Sequence, residues 1–172
     1  PLDIIKESIS VNTAISREGL MNDYGLKVGK NTKDEMEKGI IGKDMVSYAV
    51  SVTTAGADAR MAGAPFAVVS NSGSGNQGIT ATMPVVAVAK WNHDSEDKMI
   101  RVVTLSNLIA IYIKSRFGRL SALWGATVAG TGAACGITYL LGGDLKAVSF
   151  AIQNMIGSVT GMLCDGAKAD CS

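Results

Sequence analysis

The sequence has little charge and almost no charge bias. Its 172 residues include 16 Lys and Arg against 15 Asp and Glu, a net charge of +1. Only 18% of the residues are charged, below the roughly 25% of an average globular chain. A basic nucleic-acid-binding protein would show a clear positive excess, so the composition argues against that class. Because 47% of the residues are hydrophobic, it also argues against intrinsic disorder.

Proline and cysteine are scarce as well. Three prolines beside 20 glycines suit closely packed helices better than a loop-rich β fold. Three cysteines are too few, and odd in number, for a secreted domain held by disulfides. The first seven residues carry charges where the apolar core of a signal peptide would lie. Together these features predict a cytoplasmic protein.

One uncharged tract is long enough to cross a bilayer. Residues 120–143 form a run of 24 residues without a charge. The run contains six glycines and several hydroxyl side chains, which makes it weakly apolar for a membrane span. The sequence therefore predicts a buried central helix, and no membrane partner, in place of a transmembrane segment.

Apolar periodicity predicts an all-α fold. Helical patterns cover residues 2–25, 43–62, 79–91, 95–117, 120–141 and 145–163, with a short solvated helix among the charges of 26–42. The run 66–70 is the one strand-like segment. We expect a closely packed, Gly-rich helical domain with five or six helices and at most one short strand. The chain begins at Pro1 and stops one residue after Cys171, so we expect residues 1–172 to be part of a longer chain, truncated at both ends.

A glycine-rich segment precedes the predicted helix at 79–91. Residues 73–78 read GSGNQG, which matches the G-x-G-x-x-G fingerprint of dinucleotide-binding proteins. The alternating strands of that fold are missing, so the segment favours an anion cradle made of backbone N–H groups and a helix N-terminus. A carboxylate would fit it, and the side chains of Ser72, Ser74, Asn76 and Gln77 could add hydrogen bonds. A plain helix-entry loop is the alternative.

The three cysteines are a second constellation. Cys164 and Cys171 are separated by six residues, and Gly166 lets the chain turn between them. Cys135 lies among small residues, where glycines would let a bulky group approach the backbone. Three thiolates can hold a [4Fe–4S] cluster with one iron open to substrate. Inert buried cysteines are the alternative.

Four charged or titratable residues are weaker candidates. His93, the single histidine, stands beside Asp94 in a polar linker. It is either a catalytic histidine or an exposed linker residue, and the second is favoured because no partner residues accompany it. Lys168 lies between the late cysteines and either orients substrate or stays solvated. Asp58 and Arg60 close an apolar helix, where they either pair with each other or face the site.

Four segments carry a resemblance to a known family. They read DARMAG (58–63), SNSGSGNQG (70–78), RLSAL (119–123) and MLCDGAK (162–168). In this order the chain resembles the iron–sulfur L-serine dehydratase alpha-chain and L-cysteine desulfidase family from about Lys43 onward. It is most similar to the desulfidase-like branch, some members of which carry only family designations.

The resemblance implies a site and a reaction. Residues 1–172 would be the C-terminal, cluster-bearing portion of a longer chain. An oxygen-sensitive [4Fe–4S] cluster would be held by Cys135, Cys164 and Cys171. The substrate would meet Lys168 and a loop at its carboxylate, formed by Ser72, Gly73, Ser74, Gly75, Asn76, Gln77 and Gly78. β-Elimination from L-cysteine or L-serine would follow, giving pyruvate and ammonia, with hydrogen sulfide from cysteine.

Some expectations concern what this chain would do alone. The resemblance puts the base that removes the α-proton in an N-terminal half absent here, so the catalytic base is unknown and the fragment should be inactive. The partner is a small amino acid, with a homodimer as the candidate assembly. A non-enzymatic helical domain that binds a small carboxylate or a partner chain is the alternative function.

Overall fold

The computed structural model describes residues 2–117 and 125–162, and all regular secondary structure there is helical. The helices are α1 (Asp3–Met21), α2 (Val28–Glu37), α3 (Met45–Met61), α4 (Gly75–Trp91), α5 (Glu96–Ser115), α6 (Gly125–Leu140) and α7 (Leu145–Val159). The all-α prediction is confirmed. The described residues hold seven helices instead of five or six, because the charged segment 26–42 forms the ten-residue helix α2.

Side-chain caps fix where four of these helices begin. The carboxylates of Asp44 and Asp144 and the hydroxyls of Ser74 and Ser95 each accept a hydrogen bond from the backbone N–H three residues later. Such a cap satisfies one of the amides that a helix start leaves unpaired. The Ser74 cap starts α4 four residues before the predicted position, so its first turn lies inside the GSGNQG segment.

The strand-like run 66–70 forms no strand, which agrees with the expectation of at most one. Within the described residues this run has no partner strand, and the one bridge nearby joins Asn71 to Ser74. The run is held instead by the side-chain amide of Asn12 in α1. Its Nδ2 donates to the Val69 carbonyl at 3.2 Å, and its Oδ1 accepts from the Val69 N–H at 2.9 Å. One side-chain amide therefore replaces the neighbouring peptide group that a strand would need.

Helix α4 lies at the centre of the domain. Twelve of its 17 residues are buried, and it packs against α1, α3, α5 and α6. A helix that is apolar on nearly every side belongs in a core, because no face of it suits water. The largest fully buried apolar side chains of the core are Ile15, Ile79, Met83, Val85, Val86, Val102, Val103 and Val128.

Helices α4 and α6 run parallel. A Cβ placed on Gly125 would lie 3.6 Å from the Cβ of Gln77, and one placed on Gly136 would lie 3.2 Å from a methyl of Val85. Contacts therefore advance along both helices in the same direction. The first described turn of α6 thus lies beside the first turn of α4.

The glycines of the uncharged tract serve helix packing. A Cβ on Gly132 would stand 2.4 Å from the carbonyl oxygen of Ser106, and one on Gly136 would stand 3.0 Å from that of Val102. Both carbonyls belong to α5, so the glycines let the backbones of α5 and α6 approach closely. Among the described helices, we find none with both the length and the apolar character that a membrane span requires.

This packing predicts a specific stability effect. Replacing Gly132 with Ala should lower the free energy of unfolding by about 1–3 kcal/mol, because the new methyl overpacks against fixed backbone. The matched control is Gly157→Ala on the exposed side of α7, where a Cβ meets nothing within 4 Å. That variant should gain about 0.5–1 kcal/mol. Urea unfolding of the two variants checks both values, and equal stabilities would contradict the close approach of α5 and α6.

Candidate functional site

The glycine-rich loop opens with a tight turn. The backbone N–H of Asn71 donates to the Ser74 carbonyl at 3.1 Å, and the Ser74 N–H returns to the Asn71 carbonyl at 3.0 Å. Between them Ser72 and Gly73 have φ of 51° and 84°. Two central residues with positive φ define the type I′ geometry, which reverses the chain in two residues. The turn delivers the chain directly to the start of α4.

Helix α4 starts inside this loop and leaves donors at its end. The Ser74 hydroxyl accepts from the Gln77 N–H at 3.3 Å, and the Ser74 carbonyl accepts from the Gly78 N–H at 3.0 Å. The N–H of Gly75 has no acceptor among the described residues. The first amides of a helix also carry the positive end of its dipole, so this position favours an anion.

Asn71 anchors the turn to α5. Its Nδ2 donates to the side-chain oxygen of Asn107 at 2.9 Å, and its Oδ1 accepts from the Ser72 hydroxyl at 2.9 Å. Asn71 is buried, with 3% of its surface exposed. Asn107 in turn donates to Thr82 at 3.3 Å and to the Val103 carbonyl at 3.0 Å. The turn is therefore held in place by two helices without a ligand. The hydroxyl proton of Ser72 is already used in the hydrogen bond to Asn71.

Arg60 lies across the first turn of α4. Its Nη1 donates to the Asn76 Oδ1 at 3.0 Å. A Cβ on Gly75 would stand 2.2 Å from the Arg60 Nε, so only glycine lets the guanidinium take this position. Asp58 points elsewhere: its Oδ2 accepts from the Gly29 N–H at 3.0 Å, at the start of α2. Of the two interpretations left open by the sequence, Arg60 faces the loop and does not pair with Asp58.

Gln77 is the buried polar group of the loop. It is 2% exposed, and its Nε2 has no hydrogen-bond partner among the described residues. Its side chain lies against Gly125, at the first described turn of α6. A buried amide without a partner costs free energy, so its presence at this position calls for a functional explanation.

Cys135 does not lie beside the loop. At a rise of about 1.5 Å per residue it is about 15 Å along α6 from Gly125, which packs on Gln77. The thiol is 0% exposed, and burial raises its pKa. The glycines on either side of it admit the backbone of α5, where the sequence suggested room for a bulky group.

The other predicted cluster residues lie outside the described part of the chain. They are Cys164, Cys171 and the substrate candidate Lys168. In residues 2–117 and 125–162 we find no group of three or more His, Cys, Asp or Glu side chains arranged to hold a metal. The structure therefore brings together the loop residues, Arg60 and Gln77, and it does not bring Cys135 to them.

Two contributors to this site were missed by sequence reasoning. Asn12 and Asn107 are polar residues in the middle of apolar helical patterns. Asn12 holds the backbone of Val69, and Asn107 accepts hydrogen bonds from the side-chain amide of Asn71. A lone amide on an apolar helix face is the signal that could have found them, because a buried amide needs partners outside its own helix.

The chain belongs to the serine dehydratase alpha chain family, whose profile matches residues 2–172. Among curated proteins it is 52% identical to a UPF0597 protein of Phocaeicola vulgatus over 100% of this chain and 41% of that protein. It is 51% identical to a UPF0597 protein of Oleidesulfovibrio alaskensis over 98% of this chain and 39% of that protein. The chain thus spans about two-fifths of the length of these relatives. No solved structure matches it.

Proposed function

We propose that this chain is part of a lyase that catalyses β-elimination from L-cysteine or L-serine. One observation carries the proposal: at the start of α4 the Gly75 N–H is without an acceptor among the described residues and the Arg60 guanidinium lies across the first turn, within a chain of the serine dehydratase alpha chain family. L-Cysteine would give hydrogen sulfide, pyruvate and ammonia, and L-serine would give pyruvate and ammonia.

The cradle would bind and orient the substrate. The Gly75 N–H and the end of the α4 dipole would hold the carboxylate, which leaves the α-carbon and the β-substituent directed away from the loop. The turn at Ser72 and Gly73 is held by Asn71, so the cradle needs no rearrangement on binding. The residues of the cradle supply donors and positive charge. We therefore propose that the base for the α-proton lies in the part of the full-length protein that this chain does not cover.

The [4Fe–4S] cluster that the resemblance implies fits only part of its expected ligand set. Cys135 does not fit, because its side chain is fully buried and lies about 15 Å along α6 from Gly125, which packs on Gln77. We propose Cys164 and Cys171 as ligands of the cluster, whose chemistry when bound is Lewis-acid assistance to the leaving hydroxyl or thiol.

The natural polypeptide that carries this sequence at its full length provides the test. After anaerobic reconstitution with iron and sulfide, it should release pyruvate from L-cysteine or L-serine, and sulfide from L-cysteine alone. L-Alanine, which lacks a β-leaving group, is the control and should bind without turnover. A reconstituted protein that binds iron and L-alanine yet turns over neither substrate would favour the alternative, a domain that only binds carboxylates.

A further inference from the structure

Arg60 brings an uncompensated positive charge to the cradle. Within the described residues no carboxylate lies within 4.0 Å of its guanidinium. The Nη1 group donates to the Asn76 Oδ1 and to the Met61 Sδ, and the Nε and Nη2 edge has no hydrogen-bond acceptor in the described part of the chain. This edge presents two parallel N–H donors, the geometry that a carboxylate matches with both oxygens.

Gln77 supplies a second, independent pointer to a ligand. Side chains of a helix tilt toward its N-terminus, so an amide in the first turn extends toward the end of α4. Its Nε2 is buried and lacks a partner among the described residues. Gly75 and Gln77 are about 200° apart around the helix axis, so Arg60 and Gln77 flank the end of α4 from opposite sides.

We propose that Arg60 and Gln77 make the end of α4 a site selective for the ionised carboxylate of a small α-amino acid. Arg60 provides the countercharge and Gln77 Nε2 the buried donor. The inference rests on the proposed function for the identity of the ligand, and it adds the residues that distinguish a carboxylate from a neutral amide.

The test uses two ligands that cannot undergo β-elimination, so binding is measured apart from turnover. Calorimetry on the natural full-length polypeptide compares L-alanine with L-alaninamide. Charge-assisted hydrogen bonds predict that Arg60→Gln weakens L-alanine binding about 10- to 100-fold, with little change for L-alaninamide. Arg60→Lys should recover part of the loss, because the charge stays and the two-donor edge is gone. Arg101→Gln, an exposed arginine paired with Asp97, is the matched control and should bind like the wild type.

A second variant guards against a merely structural effect. Gln77→Met removes the orphan amide at similar volume, so it should raise or preserve the melting temperature while it weakens L-alanine binding. A residue with only a packing role would not give stability and affinity changes of opposite sign. The proposal is overturned if Arg60→Gln folds normally and keeps the wild-type preference for L-alanine over L-alaninamide, or if Gln77→Met binds L-alanine unchanged.

These outcomes separate the inference from the function on which it rests. If carboxylate selectivity depends on Arg60 but the protein shows no lyase turnover, the proposed site is supported and the proposed reaction is contradicted. If the Arg60→Gln variant turns over substrate with an unchanged kcat/KM, the proposed reaction is supported and the role of Arg60 is contradicted.

Discussion

Cys164→Ser should abolish iron incorporation after anaerobic reconstitution, whereas Cys135→Ala should leave the ratio of iron to protein at the wild-type value. The family resemblance assigns all three cysteines to a cluster, but the structure separates Cys135 from the cradle by about 15 Å of helix. Burial raises the pKa of the Cys135 thiol, as expected for an inert cysteine of the core. Cys164 follows α7 in the CDGAK segment, which is among the features that carry the resemblance.

The measurement is iron and sulfide content, with the absorption of the reconstituted protein as a second readout. Cys171→Ser should behave like Cys164→Ser. Cys135→Ala deletes a buried sulfur from a close-packed turn, so it should lower stability modestly without changing iron content. A Cys135→Ala protein that folds and yet loses its iron would restore Cys135 to the ligand set and contradict our assignment.

The helices were predictable from the sequence because apolar periodicity reports directly which helix faces are buried. The exact residues at which the helices begin were harder to predict. The strand-like run 66–70 is apolar and β-branched, and only the position of Asn12, on a helix more than fifty residues away, decides that a side-chain amide takes the place of a partner strand. Periodicity carries no information about such a long-range hydrogen bond.

The site was predictable in part for a similar reason. The GSGNQG segment indicates an anion cradle through its glycines alone, since they report close backbone approach. The role of Arg60 could have been narrowed further, because residues i and i+2 of a helix do not face each other, so Asp58 could not pair with it. The sequence could not predict whether Cys135 faces a cofactor or a neighbouring helix, because the glycines beside it would give the same pattern in both cases.

Gly78→Ala should disrupt the cradle and the fold together, lowering the free energy of unfolding by about 3 kcal/mol or more. A Cβ at this position would stand 2.0 Å from the carbonyl oxygen of Val69, 2.9 Å from the Cα of Ser70 and 3.0 Å from the N of Asn71. All three atoms are backbone, so no side chain can rotate to make room. The segment itself is held by Asn12 on one side and Asn107 on the other, which resists a shift.

Two controls separate crowding from the general effect of adding a methyl group to glycine. Gly157→Ala tests a helical glycine with open space around it, and Gly73→Ala tests a glycine at φ of 84° whose Cβ meets nothing within 4 Å. The first should stabilise slightly, and the second should cost about 1–2 kcal/mol through its backbone conformation alone. Urea unfolding and L-alanine binding are measured on all three variants. Since the Val69 carbonyl and the first turn of α4 share one packed contact, Gly78→Ala should lose affinity and stability together. Wild-type values for both would show that this contact does not position the cradle.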